Sequence, residues 1–363
     1  MDHHGEIVDT VVIGGGQAGL AVGYYLRKRK ADFVILDAGE RVGDAWRNRW
    51  DSLRLFTPAR FNGLPGMRFP APPTHYPTKD EVADYLEAYA GRFKLPVRNG
   101  CRVEKLSKSG DGFIVSTGNG NFMARNVVVA MSNYQLPGIP EFASKLSPEI
   151  VQLHAGEYRN PGVLREGGVL VVGAANSGCE IALDCAKAHR TWLSGRHPGH
   201  VPFRIESWFG RHIGVPFVVG LLFHRILSVG TPIGRKVRPK LVGSVGPNVR
   251  IKPKDIAAAG IETVPKTVGV KNGKPVLEDG RVLDVANVIW CTGYRPDFSW
   301  VDLPVFGDED DPKEPLHDRG VVASEPGLYF VGLFFLRSIT SSFLRGVGRD
   351  AKHVVKVLKS GAR

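Results

Sequence analysis

Two apolar segments, each ending at a glycine, dominate the pattern of hydrophobic and polar positions along the chain. Residues 7–13 read IVDTVVI and residues 169–172 read VLVV, and both are rich in β-branched side chains. Apolar runs of this kind are typical of parallel strands that are buried on both faces. Each run is followed by a glycine-rich turn and then by a segment with helical periodicity, at 18–30 and at 179–188. The pattern therefore predicts two strand-turn-helix units.

Shorter patterns predict the remaining elements. A second apolar strand at 33–36 completes a βαβ unit, and a helix is expected at 78–92 because Thr78 and Glu81 have the spacing of a capping box. Residues 43–73 are dense in Gly, Pro, Trp and Arg without a clean period, which favours a long loop wrapped over a ligand. Further strands are expected at 101–107, 113–117, 126–130, 288–291 and 328–331, and a closing helix at about 342–359.

The turn after the first strand carries a dinucleotide-binding motif. Residues 14–19 read GGGQAG and match G-x-G-x-x-G between a strand and a helix. The first glycine permits the tight turn, the second lets the backbone approach a pyrophosphate, and the third lets the helix pack on the strand. An acidic residue at the end of the second strand can bind ribose hydroxyls. We therefore expect cofactor contacts from Gly14, Gly16, Gln17, Ala18, Gly19 and Asp37.

Residues 173–178, GAANSG, form a second and weaker copy of this motif. Ala175 replaces the middle glycine, so its methyl group is expected to hold a pyrophosphate slightly farther from the backbone. The side chains that follow it are polar and can contact that pyrophosphate. The expected contacts of this copy are Gly173, Asn176, Ser177 and Gly178.

An ungapped alignment of the two copies places Arg196 opposite Asp37. An acidic residue suits a free ribose 2′-hydroxyl, whereas an arginine with the neighbouring His197 suits a 2′-phosphate through charge-assisted hydrogen bonds. We therefore interpret the first site as an FAD site and the second as an NADPH site. A surface arginine with no ligand is the alternative explanation of Arg196.

These motifs predict an α/β fold with two Rossmann-like dinucleotide-binding domains, the second inserted into the first. The FAD-binding domain is discontinuous and comprises residues 1–150 and 286–363, and the NADPH-binding domain comprises residues 151–285. We expect the reaction site in the cleft between the two domains.

Composition narrows the function classes. The four cysteines include no C-x-x-C pair and no metal-type cluster, which argues against a disulfide reductase and a metal site and favours the cytoplasm. The polar residues 1–6 do not resemble the start of a secretion signal. The net charge of +12 favours polyanions such as dinucleotide phosphates or acidic lipid. No basic run interleaved with aromatic residues occurs, so we expect no nucleic-acid partner.

Residues 215–229 form an apolar patch that is too short to span a bilayer, which takes about 20 apolar residues. His224 and Arg225 interrupt it, and a basic group follows it, comprising Arg235, Lys236, Arg238 and Lys240. Three interpretations stay open: a packed helix of the second domain, a cover over the substrate entrance, and a helix on the surface of anionic lipid.

With these motifs the chain resembles the class B flavoprotein monooxygenases over nearly its whole length, a group that contains flavin-containing monooxygenases, YUCCA enzymes and Baeyer-Villiger enzymes. Residues 43–47, GDAWR, are similar to the family's G-G-x-W-R turn beside the flavin, and residues 291–294, CTGY, are similar to its A-T-G-Y turn. Residues 53–65 are similar to the YUCCA branch, in which Thr57 falls near the flavin. The further cofactor contacts that we expect are Ala45, Trp46, Thr57, Val103, Thr292 and Gly293.

The chain departs from the family pattern at several positions. Of the fingerprint F-x-G-x-x-x-H-x-x-x-Y, His154 and Tyr158 are present, but Pro148 and Ile150 occupy the Phe and Gly positions. The tyrosine at the end argues against a Baeyer-Villiger enzyme, whose fingerprint ends in Trp. Asp44 stands where glycine is usual, residues 130–132 read AMS in place of Ala-Thr-Gly, and Pro58 occupies the position of the asparagine that flavin-containing monooxygenases place beside the flavin. We therefore assign no catalytic side chain.

The resemblance implies that NADPH reduces the flavin, that the reduced flavin adds oxygen to give a C4a-(hydro)peroxyflavin, and that one oxygen atom passes to a small organic substrate. The partners are then a small-molecule substrate and molecular oxygen, while a homodimer and a peripheral membrane contact stay open. Two alternatives remain: an NADPH-dependent flavin reductase or oxidase that does not oxygenate, and a membrane-peripheral flavoprotein that serves as a redox sensor.

Overall fold

The computed structural model describes residues 5–242, 244–307 and 314–358. Its first segment contains a βαβ unit, a long irregular loop, a helix and an antiparallel meander. These elements are β1 (Glu6–Ile13), α1 (Gln17–Lys28), β2 (Phe33–Leu36), α2 (Asp44–Arg47), α3 (Lys79–Arg92), β3 (Val97–Arg98), β4 (Val103–Ser109), β5 (Gly112–Thr117), β6 (Gly120–Val129) and β7 (Leu136–Pro137). Thr78 caps α3 in a capping box with Glu81, which confirms the predicted helix start.

The inserted segment repeats the strand-turn-helix unit. Its elements are β8 (Val151–His154), β9 (Val169–Val172), α4 (Asn176–Cys185), β10 (Thr191–Ser194), α5 (Pro232–Leu241), α6 (Pro253–Ala258), β11 (Glu262–Val264), β12 (Thr267–Lys271), β13 (Lys274–Leu277) and β14 (Asn287–Trp290). Two π-helical stretches, Gly210–Gly214 and Pro216–Ile226, lie between β10 and α5. Most of the apolar patch at 215–229 is therefore helical.

The last segment returns to the first sheet. Its elements are β15 (Tyr294–Arg295), β16 (Val301–Asp302), β17 (Leu328–Phe330) and α7 (Leu344–Val357). The sequence predicts a closing helix at about 342–359, and α7 occupies most of that range, whereas Lys359 lies outside the described residues. Short 3-10 turns occur at Ala59–Phe61, Glu141–Lys145, Pro161–Val163 and Ile339–Ser342.

The first sheet has a parallel centre in the order β3-β2-β1-β6-β17. The first half of β6 pairs with β5 in the antiparallel meander, and its second half pairs with β17. Side chains alternate between the two faces: Val12 packs against α1, α3 and α7, while Val11 and Ile13 pack against the side that the meander covers. The carboxyl end of β1, where Gly14 begins, is thus fixed by packing on both faces.

The second sheet is parallel throughout, in the order β11-β10-β9-β14-β8. β14 hydrogen-bonds with β8 and with β9, so Asn287–Trp290 lies in the second sheet, whereas the sequence predicts residues 286–363 to belong to the first domain. A short apolar strand has the same appearance in either sheet, and only its pairing partners decide the assignment. The two sheets confirm the α/β fold class with two Rossmann-like units, the second inserted into the first.

Two short antiparallel strands join the chain segments that leave and re-enter the first unit. Tyr294 pairs with Pro137 and Arg295 pairs with Leu136 in the ladder of β15 and β7. The backbone N–H of Gly138 donates to the carbonyl of Gly293 at 2.9 Å. We call this ladder the hinge.

Candidate functional site

The turn of residues 14–19 has the geometry that a pyrophosphate site requires. Gly14 has a φ of +106°, and a Cβ at Gly19 would overlap the carbonyl oxygen of Gly14, so only glycine fits at both positions. A Cβ at Gly16 would meet no atom within 4 Å, which means that the backbone beside it is open. Gly16 is also the N-cap of α1, whose first turn contains no acidic residue. The open positive end of this 12-residue helix fits an anionic phosphate.

Asp37 lies beside this turn at the end of β2. Its Oδ2 accepts a hydrogen bond from the N–H of Gly15 at 2.5 Å, and its Oδ1 accepts one from the N–H of Gly39 at 2.8 Å. A carboxylate has about four acceptor positions, so these two bonds orient Asp37 and leave acceptor capacity for ribose hydroxyls. The structure thus brings the predicted ribose-binding residue to the predicted pyrophosphate turn.

Trp46 and Gln17 connect the 43–73 loop to the same turn. Trp46 Nε1 donates to Gln17 Oε1 at 3.2 Å, and Gln17 Nε2 donates to the carbonyl of Ser342 at 3.2 Å. The start of α7 therefore lies next to the start of α1. Ala18 is buried against Gly332, where a Cβ would come within 2.9 Å of the Ala18 Cβ. These contacts place the predicted G-G-x-W-R-like turn beside the first dinucleotide motif.

Three other predicted contacts are distributed along the first unit. Thr57 donates to Asn62 Oδ1 at 2.6 Å, and Asn62 Nδ2 donates back to the carbonyl of Thr57 at 2.8 Å. Asn62 is 2% exposed, so this pair fixes the loop around Pro58. Val103 begins β4 and is half-buried, and Ala45 is exposed on α2.

The second turn repeats the first. Gly173 has a φ of +112°, and a Cβ at Gly178 would overlap the carbonyl oxygen of Gly173. Ala175 is the N-cap of α4 in the position that Gly16 holds at α1. Ser177 lies in the first turn of α4, where the first residues of the helix leave N–H groups without intrahelical acceptors. The backbone of the weaker motif therefore has the same arrangement as that of the stronger one.

The side chain of Asn176 is used differently from the prediction. Its Oδ1 accepts from the N–H of Val249 at 2.8 Å, and its Nδ2 donates to the carbonyl of Pro247 at 3.1 Å. Between them, the fully buried Asn248 donates to the carbonyl of Ala174 at 3.0 Å. The segment 247–249 thus covers the start of α4. This contact could not be predicted from the sequence, because Asn248 lies in no recognised motif.

Arg196 and His197 lie directly beyond β10, next to the second turn. Gly195 connects them to β10, and a Cβ there would stand 3.5 Å from the N of Ala174. Arg196 is exposed and has no hydrogen-bond or ion-pair partner within the ranges that the structure describes. His197 Nδ1 accepts from the N–H of Gly199 at 3.0 Å, and burial lowers the pKa of His197. Arg196 is therefore the free cation at this position, and His197 orders the loop.

The predicted fingerprint residues support the hinge. Thr292 and Gly293 are exposed, and Gly293 has a φ of +82°. His154 is fully buried, its Nε2 lies 3.0 Å from the carbonyl oxygen of Gly293, and burial lowers its pKa. Tyr158 is also fully buried and donates to Asp184 Oδ2 in α4 at 3.1 Å. Both side chains thus join the second sheet to neighbouring segments.

Residues of the 43–73 loop cross from the first unit to the second. Trp50 is 5% exposed within the hydrophobic core of the inserted unit. Arg49 Nη1 donates to the hydroxyl of Tyr294 in the hinge at 2.8 Å. Arg250 Nη2 donates to the carbonyl of Leu55 at 2.8 Å from the other side. The loop expected to wrap over a ligand therefore also joins the first unit to the second.

A positively charged group lies where the second π-helical stretch meets the first turns of α7. His224 Nδ1 lies 2.8 Å from Thr340 Oγ1, and Arg349 Nη1 donates to the carbonyl of His224 at 3.0 Å. Burial, and then the neighbouring arginines, lower the pKa of His224 to about 4, so its imidazole is neutral at pH 7. Burial lowers the pKa of Arg345, and Arg345 Nε has no hydrogen-bond partner among the described residues.

All four cysteines are free thiols. Burial raises the pKa of Cys179 to about 11 and that of Cys185 to about 11. Cys179 donates to the carbonyl of Ala174 at 3.4 Å and Cys185 lies 3.6 Å from the hydroxyl of Tyr158, so both serve as packing groups of α4.

The sequence matches one protein family and several known oxidoreductases. Residues 11–198 match the family described as pyridine nucleotide-disulphide oxidoreductase. The chain is 40% identical to a CzcO-like oxidoreductase of Geobacillus kaustophilus over 355 residues, which covers 96% of this chain and 98% of that protein. It is 31% identical to the probable indole-3-pyruvate monooxygenase YUCCA3 of Arabidopsis thaliana, with 95% of this chain and 85% of that protein covered.

The fold of this chain is also similar to that of a solved monooxygenase structure. The flavin-containing monooxygenase from Stenotrophomonas maltophilia superposes with a TM-score of 0.76 at 28% identity, and the match covers 97% of this chain and 98% of that chain. The matched family and the flavin-containing monooxygenase structure support flavin and nicotinamide cofactors for this chain. This chain therefore belongs to the pyridine nucleotide-disulphide oxidoreductase family and, within it, to the class B flavoprotein monooxygenases.

Proposed function

We propose that this protein is an FAD- and NADPH-dependent monooxygenase that transfers one atom of molecular oxygen to a small organic substrate. The observation that carries the proposal is the repeated turn at the carboxyl ends of β1 and β9, in which the last glycine packs on the first in both copies. A carboxylate lies beside one copy and a free arginine beside the other. Their charges suit a ribose hydroxyl and a 2′-phosphate, respectively.

In this proposal the first turn holds FAD. Gly14, Gly16 and Gly19 admit the pyrophosphate, α1 directs its positive end at it, and Asp37 binds the ribose. The other proposed contacts are Gln17 and Ala18 in α1, Ala45, Trp46, Thr57 and Val103 elsewhere in the first unit, and Thr292 and Gly293 beside the hinge.

The second turn holds NADPH. Gly173, Ser177 and Gly178 form the pyrophosphate site at the start of α4, and Arg196 binds the 2′-phosphate as a charge-assisted pair. Asn176 and His197 act through the loops that they fix. The Asn176 side chain already contacts the segment 247–249, and the His197 side chain contacts Gly199 and Asn248. The residues present therefore fit both cofactors.

When bound, FAD would accept hydride from NADPH and activate oxygen. The protein positions the two cofactors and excludes water from the cleft, where the loop anchored by Trp50 covers one side. The buried free thiols fit the cytoplasm as its location.

The test is rapid mixing of the NADPH-reduced holoprotein with oxygen, followed by product analysis with ¹⁸O₂ for an amine, a sulfide and a ketone. We expect a transient absorbance distinct from reduced and oxidised FAD, slower decay in the presence of NADP, and one labelled oxygen atom in a product. Direct return to oxidised FAD, with all electrons recovered as hydrogen peroxide for every compound offered, would instead establish the reductase or oxidase alternative.

Two glycine variants test whether the second turn binds NADPH. A Cβ at Gly178 would overlap the carbonyl oxygen of Gly173, so Gly178→Ala should abolish reduction by NADPH while dithionite still reduces the FAD. Gly91→Ala is the matched control, because a Cβ there meets no atom within 4 Å. Normal NADPH reduction in Gly178→Ala would contradict the assignment of the second turn.

A further inference from the structure

An outward-facing apolar stripe lies on the helical segment 208–226, which contains the two π-helical stretches between β10 and α5. Its members are spaced four residues apart and are Phe209, Ile213, Phe217 and Leu221, with Trp208 beside the first of them. These side chains are between 40% and 70% exposed. Spacing of four keeps side chains on nearly the same face of a helix. The apolar stripe is therefore a continuous exposed surface.

The opposite side of the same helical segment is packed into the protein. Val215 and Val219 are 3% and 7% exposed and pack in a cluster with Phe61, Tyr76 and Ile205. Tyr76 donates to the carbonyl of Ile205 at 2.6 Å, which fixes the chain before the segment. The segment thus already has a core-facing side, and packing within this chain does not account for the second apolar side.

The part of the chain that contains the apolar stripe, residues 207–254, has no acidic residue, and Glu206 directly before it pairs with Arg250. Residues 207–254 include nine Lys and Arg and neither Asp nor Glu. We call the exposed cations Arg225, Arg235, Lys236 and Lys240 the basic flank; none of them has an ion-pair partner among the described residues. Ile233, at the start of α5, adds a further apolar side chain that is 57% exposed. The surface thus combines apolar insertion groups with cations at their edge.

We propose that the apolar stripe and the basic flank bind the surface of an anionic lipid bilayer, with the stripe inserted among the headgroups. Charge complementarity favours an anionic bilayer over a second copy of this chain. A symmetric contact with a second copy would place one basic flank against another, which is repulsive. An anionic bilayer supplies both an apolar layer and negative charge.

The docking is peripheral. The longer π-helical stretch, Pro216–Ile226, has 11 residues, and no helix in the ranges that the structure describes is long and apolar enough to cross a membrane. The basic flank continues along α5, whose last turn is also basic, so the contact area extends beyond the apolar stripe itself. Binding is expected to weaken as salt rises, because the electrostatic part is screened.

The first experiment measures partition of the FAD-loaded protein into sucrose-loaded vesicles. Phosphatidylcholine vesicles with 30% phosphatidylglycerol, on the order of physiological anionic lipid content, are compared with pure phosphatidylcholine. We expect sedimentation with the anionic vesicles and little with the neutral ones. Trp208 supplies a second readout, because it is 70% exposed and should move to shorter emission wavelength when it enters the headgroup layer. Trp208→Phe should lose most of this shift and still sediment.

The second experiment separates charge from apolar contact. Lys236→Gln with Lys240→Gln should lower partition about twentyfold, whereas Lys266→Gln with Lys271→Gln, in the exposed β12–β13 hairpin, should leave it unchanged. Phe217→Ser with Leu221→Ser should lower it at least about tenfold. Val268→Ser is the control, since Val268 is 51% exposed on that hairpin.

Three results would overturn the proposal. The first is no sedimentation and no shift of Trp208 emission at low salt. The second is a stable dimer of the wild-type protein that Phe217→Ser with Leu221→Ser converts to monomer, which would identify a second copy as the occupant. The third is binding of a DNA or RNA oligonucleotide that Lys236→Gln with Lys240→Gln abolishes, in the absence of vesicle binding.

Discussion

Arg250 Nη2 donates a hydrogen bond to the backbone carbonyl of Leu55 at 2.8 Å, and this bond joins the inserted unit to the loop of the first unit. The same guanidinium pairs with Glu180 Oε1 at 3.3 Å and with Glu206 Oε1 at 2.8 Å. Burial raises the pKa of Glu180 to about 7, and Arg250 is the leading opposing influence. Arg250 therefore joins the two units and counteracts the burial that raises the pKa of a carboxyl group in α4.

We expect Arg250→Met to destabilise the protein because it removes the counter-charge of Glu180. Breaking a buried ion pair by removing one partner typically costs about 3 kcal/mol or more. Glu180→Gln with Arg250→Met should recover most of this loss, since no buried charge is left unpaired. Chemical denaturation at pH 8 measures both variants.

Arg98→Met is the control for the loss of an arginine in an ion pair. Arg98 pairs with Glu6 at 2.6 Å, but both side chains are nearly half exposed, so a much smaller effect is expected. Equal destabilisation by Arg98→Met and Arg250→Met would show that burial of Glu180 is not the cause.

Replacement of Asp37 should weaken FAD binding. Loss of one charge-assisted ribose contact costs about 1.5 to 3 kcal/mol, so Asp37→Ala should raise the Kd for FAD by roughly tenfold to a hundredfold. Asp37→Asn should be intermediate, because its amide oxygen can still accept from the N–H of Gly15. FAD titration of the apoprotein checks both variants. Asp32→Ala, an exposed aspartate before β2, is the control, and an unchanged Kd in Asp37→Ala would contradict the ribose role.

Arg196 should determine the choice of nicotinamide cofactor. Its guanidinium is exposed without a partner beside the second turn, so Arg196→Ala should reduce the preference for NADPH over NADH by about thirtyfold, equivalent to about 2 kcal/mol. Ratios of kcat/KM for the two cofactors measure the effect. Arg190→Ala is the control at the opposite end of β10, where Arg190 stacks on Trp192. The same ratio in Arg196→Ala and the wild type would refute the assignment.

The two dinucleotide turns could be predicted from the sequence because their geometry depends on local residues. Only glycine fits at Gly14, which has a positive φ, and at Gly19, which contacts the carbonyl of Gly14. The spacing of glycines in the sequence therefore predicts the turn. The capping box at Thr78 and Glu81 is local in the same way. For such features a short stretch of sequence contains both interacting groups.

Features that depend on distant segments could not be predicted. Arg250 and Leu55 are far apart in sequence, and Asn176 contacts Val249 only because the chain returns over α4. The sheet to which β14 belongs is likewise decided by its neighbours β8 and β9, not by its own four apolar residues. In each case the sequence around one residue or strand does not indicate which distant residue or strand it contacts.

Asp350 provides a test of buried charge in the middle of α7. It is 1% exposed, and burial raises its pKa to about 6 from an ordinary value of 3.8, although Ser341, Arg349 and Arg337 oppose the shift. Because the folded-state pKa is the higher one, the unfolded chain ionises first as pH rises. Asp350 therefore lowers stability progressively between about pH 4 and pH 6 and fully above that window.

We expect Asp350→Asn to be more stable than the wild type at pH 8, by an amount on the order of 3 kcal/mol, and nearly equal to it at pH 4. The quantity to compare is the difference in stability between the variant and the wild type at each pH. The wild type has a second pH dependence, because the lowered pKa of His224 reduces stability as pH falls from 6.5 towards 4. Denaturant midpoints of the FAD-loaded proteins at pH 4, 6 and 8 provide the measurement. Asp318→Asn is a control of opposite sign, since the hydrogen bond from Arg319 lowers the pKa of Asp318 and its removal should reduce stability at pH 8. A variant Asp350→Asn that is destabilised equally at all three pH values would show that the carboxylate is needed for packing or hydrogen bonding and that its burial is not a net cost.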